Sequence, residues 1–130
     1  MSYLASEEED TLPVPGDASG ATVTFRRDAT LQDEFDLGVL ALRLREETPD
    51  EQRAGQRYRV HRTLLMLKRW TLVDAGGEPL PLTEQTLQTG LRRRVAAWLD
   101  QEALRRFDGR TGDDEGPFVT PSARPSTGTT

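Results

Sequence analysis

The apolar positions of this chain change period as it proceeds, and each change predicts an element. From Ala21 to Arg27 they alternate, with Val23 and Phe25 on one face, which predicts a β-strand. A lone strand needs a partner, and the short extended piece Thr71–Val73 or another chain is expected to supply it. From Leu31 the spacing becomes helical. Leu31, Phe35, Val39 and Leu42 form one stripe, with Leu37, Leu40 and Leu44 beside it. Thr30 is the expected N-cap, and Asp33 and Glu34 stand in the first turn, where the helix dipole favours acids. Gly38 is a weak point of this helix or a place of close helix approach. Thr48-Pro49-Asp50-Glu51 predicts a new start, with Thr48 as N-cap, Pro49 in the first helical position and Glu51 completing a capping box. This second helix is expected to run to about Arg69, with Ala54, Tyr58, His61 and Leu65 on its stripe. Near its end Leu64, Leu65, Met66 and Leu67 are apolar almost all round, so that end is either deeply buried or in contact with another subunit.

The stretch Trp70 to Leu87 carries the densest local instructions. Asp74-Ala75-Gly76-Gly77 demands a turn, and Gly76 or Gly77 is expected to take positive φ. Pro79 and Pro81 hold Leu80 and Leu82 extended. Thr83 is positioned to cap the next helix, with Leu82 and Leu87 at the two positions of a hydrophobic staple. The third helix spans Glu84 to about Phe107, interrupted at Gly90. Beyond Gly90, Leu91, Val95, Trp98, Leu99 and Phe107 face inward, while Arg92, Arg93 and Arg94 begin outside. Asp108-Gly109 ends it. The expected fold class is mostly α: a small domain of three to four helices with a short β-strand element.

Composition refines this picture at the ends. Net charge is −5 over 130 residues. Residues 1–20 and 111–130 hold eight acids and one base, a balance of −7, whereas residues 21–110 hold sixteen bases and fourteen acids, a balance of +2. The acidity therefore belongs to the tails. Residues 1–20, acidic with Pro13, Pro15, Gly16 and Gly20, and residues 110–130, rich in Gly, Pro, Ser and Thr, are both expected to be disordered. Between them, 21–109 form a single small helical domain. With 35% hydrophobic residues its core is modest, and a partner is expected to complete it. There is no cysteine, which excludes disulfides, thiolate nucleophiles and cysteine-based metal sites. No apolar run reaches the length of a membrane span, and the first residues, lacking a basic region and apolar core, are not expected to be a signal peptide.

Little here carries catalytic chemistry. His61 is the only histidine, and its helical spacing with Tyr58 and Leu65 makes it a partly buried structural residue. No nucleophile elbow, phosphate loop or dinucleotide fingerprint occurs. The acid pairs Glu46-Glu47, Asp50-Glu51 and Asp113-Asp114 have no context that would raise a pKa. No catalytic residue, metal ligand or cofactor is expected. Arg57, Arg59, Arg62, Lys68 and Arg69, with Arg92, Arg93, Arg94, Arg105 and Arg106, form either a nucleic-acid surface or a solvated face paired with Glu46, Glu47, Asp100 and Glu102, and the near-neutral domain favours the second. Trp70 and Trp98 are core anchors or interface residues.

An apolar helix ending in Trp70, then Leu72-x-Asp74, a Gly turn, Glu78-Pro79-Leu80-Pro81-Leu82-Thr83 and a helix beginning Glu84-x-x-Leu87 resembles a group of small tailed-phage proteins. These are described as tail assembly chaperones or tail accessory proteins. A basic strand followed by a helix, as in Val23 to Leu44, also fits. Relatives of that kind commonly carry a Pro after the short helix, where Gly90 stands here. The resemblance covers about half the chain and leaves out the tails. It implies a non-enzymatic protein that binds other phage proteins, such as a tape measure protein, in the host cytoplasm during assembly or in the virion. The expected partner-binding surface is Leu64, Leu65, Met66, Leu67 and Trp70, a homo-oligomer being one way to cover it, and Gly76, Gly77, Pro79, Pro81 and Thr83 are structural. The alternatives are a structural virion subunit and a small regulator that binds nucleic acid through its Arg faces; neither nucleic acid nor a membrane is expected as partner.

Overall fold

A computed structural model describes residues 3–109. The expected mostly helical small domain is what it shows, with a larger sheet than the pattern implied. Strands β1 (Glu9–Pro13), β2 (Thr22–Arg26) and β3 (Leu67–Trp70) form an antiparallel sheet in the order β1-β2-β3. Helices α2 (Glu51–Met66) and α3 (Arg93–Phe107) pack beside it, α1 (Leu31–Glu47) packs on α2, and a π-helical turn stands at Thr86–Gly90. The core lies between the sheet, the end of α2, α3 and the segment linking β3 to α3. Val23, Phe25, Met66, Leu99 and Ala103 are fully buried there.

Residues 1–20 are where the expectation of disorder needs correction. Glu9–Pro13 is a strand, registered Asp10 opposite Phe25 and Leu12 opposite Val23. The Pro- and Gly-containing stretch behind it is an ordered turn. Asp17 accepts hydrogen bonds from the Ser19 amide (2.9 Å), the Ser19 hydroxyl (2.7 Å) and the Ala21 amide (3.2 Å), and Val14 closes the hairpin by donating to the Ala21 carbonyl. The acids also have partners. Arg106, whose side chain is only 5% exposed, donates from Nε to Asp10 at 3.0 Å and from Nη1 to Glu102 at 2.7 Å, and it stacks on the Phe25 ring at 4.9 Å. Arg27 forks onto Asp10 from Nε and Nη2 at 3.1 and 2.7 Å. On the other face of the sheet, Glu9 pairs with Arg69 across β2, and the Thr11 and Thr24 hydroxyls bond at 2.9 Å. An acidic run reads as solvating only when its counter-charges are far away; here they arrive from Arg27 just after β2, from β3 and from α3. The expected tail at 110–130 lies outside the described residues.

The end of α2 is also corrected. The helix stops at Met66, and Leu67–Trp70, expected to be helical as far as Arg69, is the second partner of β2. The piece Thr71–Val73 expected in that role follows this strand, and of it Thr71 still donates its amide to the Thr22 carbonyl at 2.9 Å. Lys68 is the extra residue of a β-bulge, so Leu67 and Trp70 both reach the core side. Arg26 holds this helix end by donating to the Leu65 carbonyl at 3.3 Å. The start of α2 differs as well. Asp50, not Thr48, is the N-cap, accepting from the Gln52 and Arg53 amides, while Thr48 terminates α1 through its amide to the Leu44 carbonyl. The expected Thr30 cap is present, as half of a capping box with Asp33.

In the stretch from Trp70 to Leu87 most of the expected geometry is observed. Gly77 has φ +84°, and Asp74 Oδ1 accepts from the Gly76 and Glu78 amides at 2.8 and 2.9 Å. Val73 and Pro79 form a bridge, and Trp70 Nε1 donates to the Leu80 carbonyl at 2.7 Å. The two prolines therefore hold Leu80 against the core and present its carbonyl to the indole. Thr83 caps the short helical turn from Glu84 through the Thr86 amide at 3.2 Å. The staple is corrected: Leu87 is buried, but Leu82 is 37% exposed, and Leu80 takes the inward place.

Two outcomes follow from this architecture. At Gly77 a Cβ would meet no neighbouring atom, so the cost of Gly77→Val is backbone strain at positive φ, expected to lower stability by about 1–3 kcal/mol in a thermal melt. The second concerns acid. Burial raises the Asp10 carboxyl, but Arg27 and Arg106 outweigh it and hold its pKa below the ordinary range. Glu102 shows the same balance, burial against Arg106 and Arg105. A carboxylate with a depressed folded pKa contributes stability that is complete above its unfolded value, about 4, and lost as pH falls through the folded one. Stability should thus drop below about pH 4. Asp10→Asn should cost about 2 kcal/mol near neutral pH and show a shallower acid decline in urea titrations.

Candidate protein-binding surface

Helix α1 is built from one sequence with two apolar arcs. At 3.6 residues per turn, Leu31, Phe35, Val39 and Leu42 fall within about 80° of arc, and Leu37, Leu40, Ala41 and Leu44 centre nearly opposite. The structure uses only the second arc. Leu37 and Leu44 are buried against α2, whereas Leu31, Phe35, Val39 and Leu42 are 60–65% exposed. The reason is topological. Thr48, Pro49 and Asp50 fold α1 back on α2 as a helical hairpin, and no α1 residue enters the main core. A helix with one neighbour buries one face. Arg57 fixes this hairpin to the rest, donating to Glu84 (2.7 and 3.2 Å), Glu47 (3.3 Å) and the Thr48 hydroxyl (2.9 Å). That contact with Arg57 also holds the Glu84 carboxyl low against the opposing effect of its burial.

The surface expected at Leu64, Leu65, Met66, Leu67 and Trp70 is mostly internal. Met66 and Leu67 are buried, and Leu64, Leu65 and Trp70 are half-buried against the same core. The sheet and α3 cover them, which the reading of 67–70 as helix concealed. Gly76, Gly77, Pro79, Pro81 and Thr83 lie together in the loop and cap just described. The stripe on α1 was legible as a pattern; its exposure was not, since that depends on which neighbour the helix meets. The signal is the second arc itself: a helix apolar on two opposite faces needs two partners.

The other candidates become structural contacts. His61 Nε2 lies 3.2 Å from Glu84 Oε1. Arg62 lies over the Tyr58 ring and bonds Asp100 at 3.2 Å. Lys68 and Arg69 meet Glu9, and Arg105 meets Glu102. Arg92, Arg93 and Arg94 are exposed at the start of α3. Among the described residues no three His, Asp or Glu side chains gather in a way that would hold a metal ion, and no helix is long and apolar enough to cross a membrane. Compared with protein-family models, characterised proteins and solved structures, the chain finds no significant match.

The two arcs of α1 should respond oppositely to substitution. Leu37→Ala removes buried surface and should cost about 2–3 kcal/mol. Leu42→Asp, on the exposed arc, should leave the unfolding midpoint within about 0.5 kcal/mol of wild type. Equal losses from the two changes would mean that the exposed arc is covered within the chain.

Proposed function

We propose that this chain is a non-enzymatic assembly protein of a tailed phage, a tail assembly chaperone or tail accessory protein, that engages other phage proteins through the exposed stripe of α1. The observation that carries the reading is that stripe: four large apolar side chains in line on a helix whose opposite face is already packed. Soluble monomers seldom leave such a row uncovered, and rows of this kind mark protein-binding sites. An i, i+4, i+8, i+11 series is the spacing by which one helix lies along another, which suits a long helical client such as a tape measure protein. The pattern from Leu64 to Leu91 supports the family assignment by resemblance. Ion pairing of Arg57, Arg62, Arg69, Arg105 and Arg106 within the chain favours protein over nucleic acid as partner.

Co-expression with a helical segment of the neighbouring tape measure protein, followed by affinity capture, tests this. Wild type should retain the segment; Phe35→Asp and Leu42→Asp should lose at least about nine-tenths of it while keeping native circular dichroism, in line with the cost of burying an unpaired charge. Undiminished capture by both variants overturns the assignment of the surface. Recovery of the chain in stoichiometric amount from purified particles replaces the chaperone by a structural virion subunit.

A further inference from the structure

The flanks of the α1 stripe carry charges that sort by position, and they specify a partner. Beside the stripe on one flank lie Asp36 and Arg43; on the other lie Glu34 and Arg45. All four are exposed, and among the described residues none takes part in an ion pair. Asp36 only accepts a hydrogen bond from Gln32, at 2.9 Å. This contrasts with Arg26, Arg27, Arg57, Arg62, Arg69, Arg105 and Arg106, each of which has a carboxylate partner within the chain. When two helices lie antiparallel about a two-fold axis, like flanks meet; when parallel, opposite flanks meet. Antiparallel pairing of two α1 helices sets Asp36 against Arg43 of the second copy. The same axial offset sets Glu34 against Arg45 along the other flank. Both relations hold twice by symmetry. That offset puts the axis between Val39 and Leu40, brings Phe35 near Leu42 of the second copy, and leaves the polar Glu46 beside Gln32. Parallel pairing would instead confront Arg43 with Arg45 and Asp36 with Glu34.

We propose that the stripe is occupied by a second copy of this chain, in an antiparallel α1–α1 dimer with its two-fold axis at Val39–Leu40. The proposal rests on the reading of this stripe as a protein-binding surface and names its first occupant, with which a helical client competes. Gly38, exposed and with open space where a Cβ would stand, lies at the edge of the stripe beside the axis, where a small residue permits close approach of the two helices. The charges fix direction and register, while the apolar row supplies the association; exposed pairs alone contribute little.

The chain has no cysteine, which makes cross-linking a clean test on the full-length protein. Under mild oxidation Val39→Cys, next to the axis, should form a disulfide dimer. Leu31→Cys should not, because antiparallel pairing carries the two copies of that position about 25 Å apart at 1.5 Å per residue. In sedimentation equilibrium at low salt, Arg43→Glu should weaken the dimer about tenfold, and Asp36→Arg added to it should restore the affinity. Equal cross-linking at both positions, or no rescue by the double exchange, overturns the antiparallel dimer. So does a chain that stays monomeric at high concentration; if that monomer still captures the helical client through Phe35 and Leu42, the binding surface stands and only the second copy is rejected.

Discussion

The buried guanidinium of Arg106 is the contact on which the rest of this small protein depends. It lies on the Phe25 ring of the central strand, bonds Asp10 of the edge strand, and is held by Glu102 one helical turn earlier on its own helix. One side chain thus joins the last helix to both β1 and β2. Burying a cation is costly unless its donors are satisfied by opposite charge in good geometry. Here two carboxylates supply that charge, and Arg27 gives Asp10 a second cation. The arrangement is selective: only a chain in which β1 pairs in this register places Asp10 where Arg106 needs it. The N-terminal acids are therefore part of what holds β1 in the sheet.

That dependence explains what was and was not legible in the sequence. Contacts between residues a few positions apart were readable: the Thr30 cap, the strand around Val23 and Phe25, the Gly77 turn, the Thr83 cap and the inward series of α3. Contacts across the chain were not. Asp10 and Arg106 are ninety-six positions apart, and no local pattern links them. Taken alone, Glu7-Glu8-Glu9-Asp10 has the composition of a solvated tail. Similarly, Leu67–Trp70 has helical neighbours and apolar content, yet it becomes a strand because Val23, Thr24 and Phe25 offer unpaired backbone groups there. Local propensity yields to a ladder of hydrogen bonds and to a core position for Leu67 and Trp70.

The same reasoning separates the molecule into two kinds of surface. Where distant segments converge, charge meets charge and apolar groups are covered. The sheet face carries Glu9 against Arg69, the hinge of the helical hairpin carries Arg57 against Glu84, and the indole of Trp70 finds the Leu80 carbonyl. Helix α1 stands outside this convergence. Its exposed apolar arc, Leu31, Phe35, Val39 and Leu42, and its four flanking charges have no counterpart among the described residues.

An uncovered apolar row on a helix is not required by the fold, because the inner arc of α1 already secures it to α2. Polar residues at Leu31, Phe35, Val39 and Leu42 would leave the packing of Leu37 and Leu44 intact and would improve solubility. The helix dipole favours acids near the start of α1 and arginines near its end, but it does not require each flank to carry its acid and base at the spacing that a reversed copy of itself would match. A structural requirement of the monomer accounts for neither the row nor the matched spacing of the charges. Both follow if α1 is the part of the chain that faces another helix, with the packed body holding it in place.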